Sequence, residues 1–232
     1  MIHKIKFDDI NCDIVCNEAS DKVAYMIYPG IEALPSQWIE QTSVTFTVSI
    51  VVVYIPADQW NNYLTPWAAP GETANSDPFL GKAADFLKRL KTEIIPSIEN
   101  STGKIRQPSE RDLIGVSLSG LFTLWQWMND STFSSIASLS GSFWFPGFLD
   151  WFDRQEIPQK NGRAFFLLGK KEPHAWLKEY RTVGQNTEAI VQRLKRAGIQ
   201  TEFTWVPGDH FADPLSRAHL AFQSLYPPSH LH

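Results

Sequence analysis

Ser117, Glu172 and His210 are a hydroxyl, a carboxylate and an imidazole in that chain order, each just beyond an apolar run that reads as a strand. A serine hydroxyl becomes a nucleophile when an imidazole takes its proton. A carboxylate on the far ring nitrogen then fixes the tautomer and steadies the cation that forms. Ser117 lies in RDLIGVSLSGLFTLW (residues 111–125), where a strand pattern turns helical at the serine. The middle of the stretch is G-x-S-x-S, one residue away from the G-x-S-x-G of a nucleophile elbow. A serine on so tight a bend needs small residues two positions to either side. Gly115 is one, and Ser119, followed by Gly120, is the other.

The helix pattern that starts after Ser117 adds a second chemical asset. Its first peptide N–H groups have no intrahelical partner and carry positive dipole character, so the Leu118 N–H is a candidate oxyanion donor. A second donor is expected from the YPGI turn, at the Gly30 or Ile31 amide.

Of the six histidines, His3, His230 and His232 fall in end segments and are expected at the surface. His219 lies inside a helical pattern, and His174 precedes a helix. Only His210 follows a strand through a glycine turn, in WVPGDHF. Asp209 and Asp213 share its loop and are poorly placed for its far nitrogen, which leaves Glu172 in LLGKKE as the acid, with solvation as its alternative. Trp67, Trp144 and Trp151 stand in loops above strand ends as pocket candidates, with plain packing the alternative. Trp125 and Trp127 read as core.

These residues need a frame of strands. IHKIKF and DIVCN read as an antiparallel pair, followed by the strand KVAYMIYPG, a short helix at PSQWIEQT, and an apolar β-branched strand over residues 44–55. Residues 57–80 read as loop, and residues 82–98 as a helix that Pro96 kinks or ends. A polar loop precedes RDLIGVS and its helix. Further on come a small-residue strand in STFSSIASLSGSF, the strand RAFFLLG, a helix capped by Thr187 and stopped by Gly198, the strand QTEFTWV and a closing helix from Pro214. Alternating strands and helices predict an α/β, three-layer sandwich, with a mostly parallel central sheet and helices on both faces, as a single domain over residues 1–232. Sites in such sheets sit at the carboxyl ends of the strands.

Composition removes several classes. With 21 basic against 25 acidic residues (net −4) and no basic run, no nucleic-acid surface is expected. The start, MIHKIKFDDINCD, lacks the apolar stretch of a secretory signal, and the longest apolar run is too short to span a bilayer. Cys12 and Cys16 alone make neither a disulfide framework nor a zinc site; free thiols and a cytoplasmic location are the expectation. No metal-ligand spacing and no glycine-rich phosphate cradle are present, so no cofactor is expected.

The order Ser, acid, His is that of α/β-hydrolases. The segments YMIYPG, WNNYLTPWAAPG, FLKRLKTEIIPSIEN, LIGVSLSGLFTLW, SIASLSGSFWFPGF, FFLLGKKE and WVPGDHF together resemble the esterase D-like, enterochelin esterase-like family of that fold, over most of the chain from about Val23 onward. The resemblance implies an α/β-hydrolase sheet with no large cap domain and serine hydrolysis of a small-molecule ester, with Ser117 as nucleophile, His210 as base and Glu172 as acid. Two positions depart from the family pattern: Ser119 replaces the usual glycine, and the loop after FFLLG offers Glu172 alone. Some relatives work with a Ser-His dyad. Acyl transfer to an alcohol by the same residues, a catalytically silent binding module, and a homodimer stay open at this point.

Overall fold

The computed structural model describes residues 1–73, 75–101, 105, 108–159 and 161–227. His230 and His232, and residues 102–104, 106 and 107 of the polar loop, lie outside the described residues. The contacts group the chain into two compact units, Met1–Leu113 with Tyr226–His232, and Ile114–Leu225.

The first unit opens with β1 (Ile2–Phe7) and β2 (Ile10–Val15), paired antiparallel as expected. Next come β3 (Lys22–Pro29), α1 (Ser36–Phe46) and β4 (Ser49–Ile55). β4 pairs parallel with β3 and antiparallel with β2, and all seven of its residues are buried. That burial accounts for its continuous β-branched run, because a strand covered on both faces shows no alternation.

The expected strand start at Val44 is corrected. Residues 44–46 form the last turn of α1, Val44 is 75% exposed, and the helix ends at Thr47 with φ 49°. Residues 57–80, read as loop, contain α2 (Ala57–Tyr63) and a two-residue ladder of β5 (Ala68–Ala69) and β6 (Phe79–Leu80). These pieces are too short to show periodicity. The helix expected over residues 82–98 runs as α3 (Ala83–Arg89), a π-helical turn (Leu90–Ile94) and α4 (Ile95–Ser101). Pro96 therefore does not end the helix. The widened turn lies immediately before it, where a proline cannot donate the regular helical bond. β7 (Glu110–Val116) begins in this unit and ends in the second.

The second unit continues with α5 (Leu118–Asn129), β8 (Ser135–Leu139), α6 (Phe148–Arg154) and β9 (Arg163–Gly169). Then follow α7 (Val183–Arg196), β10 (Gln200–Val206) and α8 (Pro214–Leu225). The strand order is β7-β8-β9-β10, with β9 parallel to both β8 and β10. α5 buries Leu118, Leu121, Phe122, Leu124 and Trp127 around most of its circumference, as a helix inside a core does. Thr187 does not cap α7. It lies buried within that helix and donates its hydroxyl to the Val183 carbonyl, and the helix starts four residues earlier from a 3-10 turn (Glu179–Thr182). Among the described residues no helix is long and apolar enough to cross a membrane.

Candidate active site

Ser117 sits between the last residue of β7 and the first of α5, at φ 58°, ψ −123°. The sharp reversal is held by backbone bonds: the Ser117 N–H donates to the Leu139 carbonyl, and the Ser117 carbonyl accepts the Leu121 and Ser142 N–H groups. Gly115 is required by close approach, since a Cβ there would stand 2.2 Å from the Ser119 carbonyl oxygen and 2.4 Å from Thr123 Oγ1. Ser119, the residue that breaks the elbow motif, is fully buried. Its Oγ accepts the Val116 N–H (2.7 Å) and donates to the Val116 carbonyl (2.8 Å). The extra hydroxyl thus braces the bend with hydrogen bonds.

β9 ends at Gly169 opposite Val206 of β10 in parallel register. The loops leaving these strands therefore start side by side, one carrying Glu172 and the other His210. Ser117 Oγ lies 3.0 Å from His210 Nε2, and His210 Nδ1 lies 2.9 Å from Glu172 Oε2. The Ser117 and His210 side chains are half-buried, while Glu172 is buried.

The other carboxylate oxygen, Glu172 Oε1, accepts the Gly169 N–H (2.7 Å) and the Ser140 hydroxyl (2.7 Å), with Arg217 Nη1 at 3.4 Å. Burial works to raise the Glu172 carboxyl pKa. The bonds from His210, Gly169 and Ser140 outweigh that burial and hold it below its ordinary value of 4.5. Glu172 is thus kept ionised beside the ring.

Asp209 and Asp213 serve their own loop instead, accepting the backbone N–H groups of Phe211 and Ser216. His3, His174 and His219 are exposed. Among the described residues no cluster of three or more His, Cys, Asp or Glu side chains has metal-binding geometry.

The candidate oxyanion donors separate. Leu118 is the first residue of α5, where an N–H has no carbonyl of its own helix to meet. The Gly30 N–H is corrected as a donor: it extends the β3–β4 pairing by one residue and donates to the Ile55 carbonyl at 2.7 Å. Ile31, the other residue expected from that turn, is 81% exposed and belongs to the first unit.

Trp67, Trp144 and Trp151, read as pocket candidates, are each half-buried. Trp144 packs on Tyr180, with ring centroids 4.3 Å apart, and Trp151 on Phe148 at 5.3 Å. Trp127 is fully buried core, as read, and Trp125 is half-buried. Cys12 is buried, and desolvation pushes its thiol up to about 12, so it is inert at neutral pH.

Sequence reasoning missed Ser140, Ser142 and Arg217. Ser140 follows β8 at φ 50° and reaches Glu172; Ser142 Oγ lies 3.4 Å from Ser117 Oγ; Arg217, buried on α8, spans the two loops. Only the Ser140-Gly141-Ser142 run hinted at a turn there, and a single arginine in an amphipathic helix gives no signal.

Residues 33–220 match the model of the family described as "Putative esterase". A curated relative, the uncharacterized protein YbbA of Bacillus subtilis (strain 168), is 27% identical over 151 residues, or 65% of this chain and 60% of that protein. The matched part thus spans three fifths of that relative's length. Among solved structures, an IroE-like serine hydrolase from Shewanella oneidensis superposes with a TM-score of 0.75 at 17% identity, covering 97% of this chain and 79% of the other. The siderophore hydrolase EstA from Aspergillus nidulans gives 0.73 at 16% identity, covering 99% and 94%. At these identities the likeness shows the fold, that of the α/β-hydrolases.

Proposed function

The chain belongs to the Putative esterase family, and from that premise we propose that it is a serine ester hydrolase acting on a small ester through a Ser117 acyl-enzyme. The observation that carries the reading is the continuous relay from Ser117 Oγ through both nitrogens of His210 to Glu172, with spacings of 3.0 and 2.9 Å. His210 Nε2 takes the Ser117 proton as Oγ attacks the ester carbonyl. Negative charge grows on the carbonyl oxygen, which the Leu118 N–H at the start of α5 stabilises. The imidazolium then gives its proton to the departing alkoxide, the C–O bond breaks, and the acyl group stays on Ser117. Water, deprotonated by the same ring, attacks the acyl carbonyl; the bond from that carbon to Ser117 Oγ then breaks, the ring returns its proton to Oγ, and the acid leaves. Glu172, ionised and hydrogen-bonded to Nδ1, holds the tautomer that presents Nε2 to the serine.

A relative named as a siderophore hydrolase supports a small-molecule substrate. The test is steady-state hydrolysis of a series of p-nitrophenyl esters of increasing acyl length. The reading requires turnover of at least one ester and its loss in Ser117→Ala, on the order of 10³-fold or more in kcat. Turnover that survives in Ser117→Ala would contradict it.

A further inference from the structure

Arg217 is 5% exposed, on the first turn of α8, and its guanidinium faces two loops at once. Nη2 donates to the Asp209 carbonyl and reaches the Pro207 carbonyl at 3.5 Å, and Nη1 lies 3.3 Å from the His210 carbonyl. Those three acceptors are the backbone of the segment that carries the catalytic imidazole. Nη1 also donates to Ser140 Oγ at 2.8 Å, and Ser140 passes its own hydrogen to Glu172 Oε1, which lies 3.4 Å from Nη1. Arg217 Nε has no hydrogen-bond partner among the described residues. A buried arginine with an idle donor is a costly packing element, and an apolar side chain of similar volume would fill the space without that loss.

Resting on the hydrolase reading above, we infer that Arg217 is a positioning residue that ties the His210 loop to Glu172 through Ser140. The planar fork spans backbone carbonyls on one side and a hydroxyl–carboxylate pair on the other, which a lysine ammonium cannot do. With Oε1 engaged by Gly169, Ser140 and Arg217, Oε2 is left for the imidazole. The His210 ring is fixed from both ends, by its own main chain and by its carboxylate partner. Arg217 touches no reacting atom.

The test compares Arg217→Lys, Arg217→Met and the milder Ser140→Ala in kcat and KM on a p-nitrophenyl ester, alone and in a Glu172→Ala background. The expected result is a fall in kcat of about 100-fold for Arg217→Met, with KM within about threefold, as for a misplaced catalytic group. Arg217→Lys gives no rescue, and Ser140→Ala shows a smaller loss of the same kind. In Glu172→Ala, Arg217→Met costs less than about threefold more, because the linkage it served is already gone. A purely structural arginine would cost the same factor in both backgrounds, and that outcome overturns the inference. A second measurement needs no activity: the downfield proton resonance of the His210 Nδ1–Glu172 hydrogen bond should weaken or move upfield in Arg217→Met and Ser140→Ala. An unchanged resonance in folded variants overturns the inference. Inactivity of the wild type fails the hydrolase reading alone, since the resonance still decides the role of Arg217.

Discussion

At φ 58°, ψ −123° the Ser117 backbone sits where an L-residue is strained, at a cost of order 1–3 kcal/mol. Glycine avoids that strain at an entropic cost of about 0.5–1 kcal/mol. Ser117→Gly is therefore expected to unfold in urea at higher concentration than Ser117→Ala, by roughly 1 kcal/mol, while both lack activity. Next to it, Gly115→Ala forces a methyl against the Ser119 carbonyl and Thr123 and should cost about 3 kcal/mol in the same assay. Glu172 gives the pH dependence. Its folded pKa lies below its ordinary one, so its contribution to stability is complete above about 4.5 and is lost as pH falls through the folded value. Glu172→Gln should destabilise the protein by about 1–3 kcal/mol at pH 7, with the gap to wild type narrowing as pH falls through the folded value, as urea melts over a descending pH series would show. Ser117, Glu172 and His210 were legible because each ends a strong strand pattern. Ser140 and Arg217 were not, because their importance lies in distances of 2.7 and 2.8 Å that no spacing encodes.

At the scale of elements, periodicity identified the long pieces and failed where tertiary packing overrode it. Val44, Thr45 and Phe46 have strand-forming side chains, yet they complete α1, whose end is set by Thr47 in the left-handed region. Pro96 was read as a kink or an end because a proline inside a regular helix removes a bond and clashes. The π-helical turn over Leu90–Ile94 takes up the mismatch, and helical structure resumes to Ser101. It follows that Pro96→Ala should change unfolding free energy by less than about 1 kcal/mol, whereas Lys88→Pro in the regular helix before that turn should cost about 3 kcal/mol. Chemical denaturation of the two variants checks the contrast. The β9–β10 register, by contrast, was foreseeable in kind: parallel neighbours release their carboxyl ends together, which is how residues 38 apart in sequence meet at 2.9 Å.

Over the whole molecule, the alternation of strands and helices made the α/β class legible. Ser117, Glu172, His210, Ser140 and Arg217 all belong to the second unit, Ile114–Leu225, so the relay does not depend on how the units are arranged. The central claim is that the Ser117 hydroxyl is activated by His210. Its most direct measurement is intact and peptide mass spectrometry after treatment with a fluorophosphonate. The account predicts one adduct per chain, carried by the peptide containing Ser117 and absent from Ser117→Ala and His210→Ala. An adduct on another residue, or none on a folded wild-type protein, would contradict it.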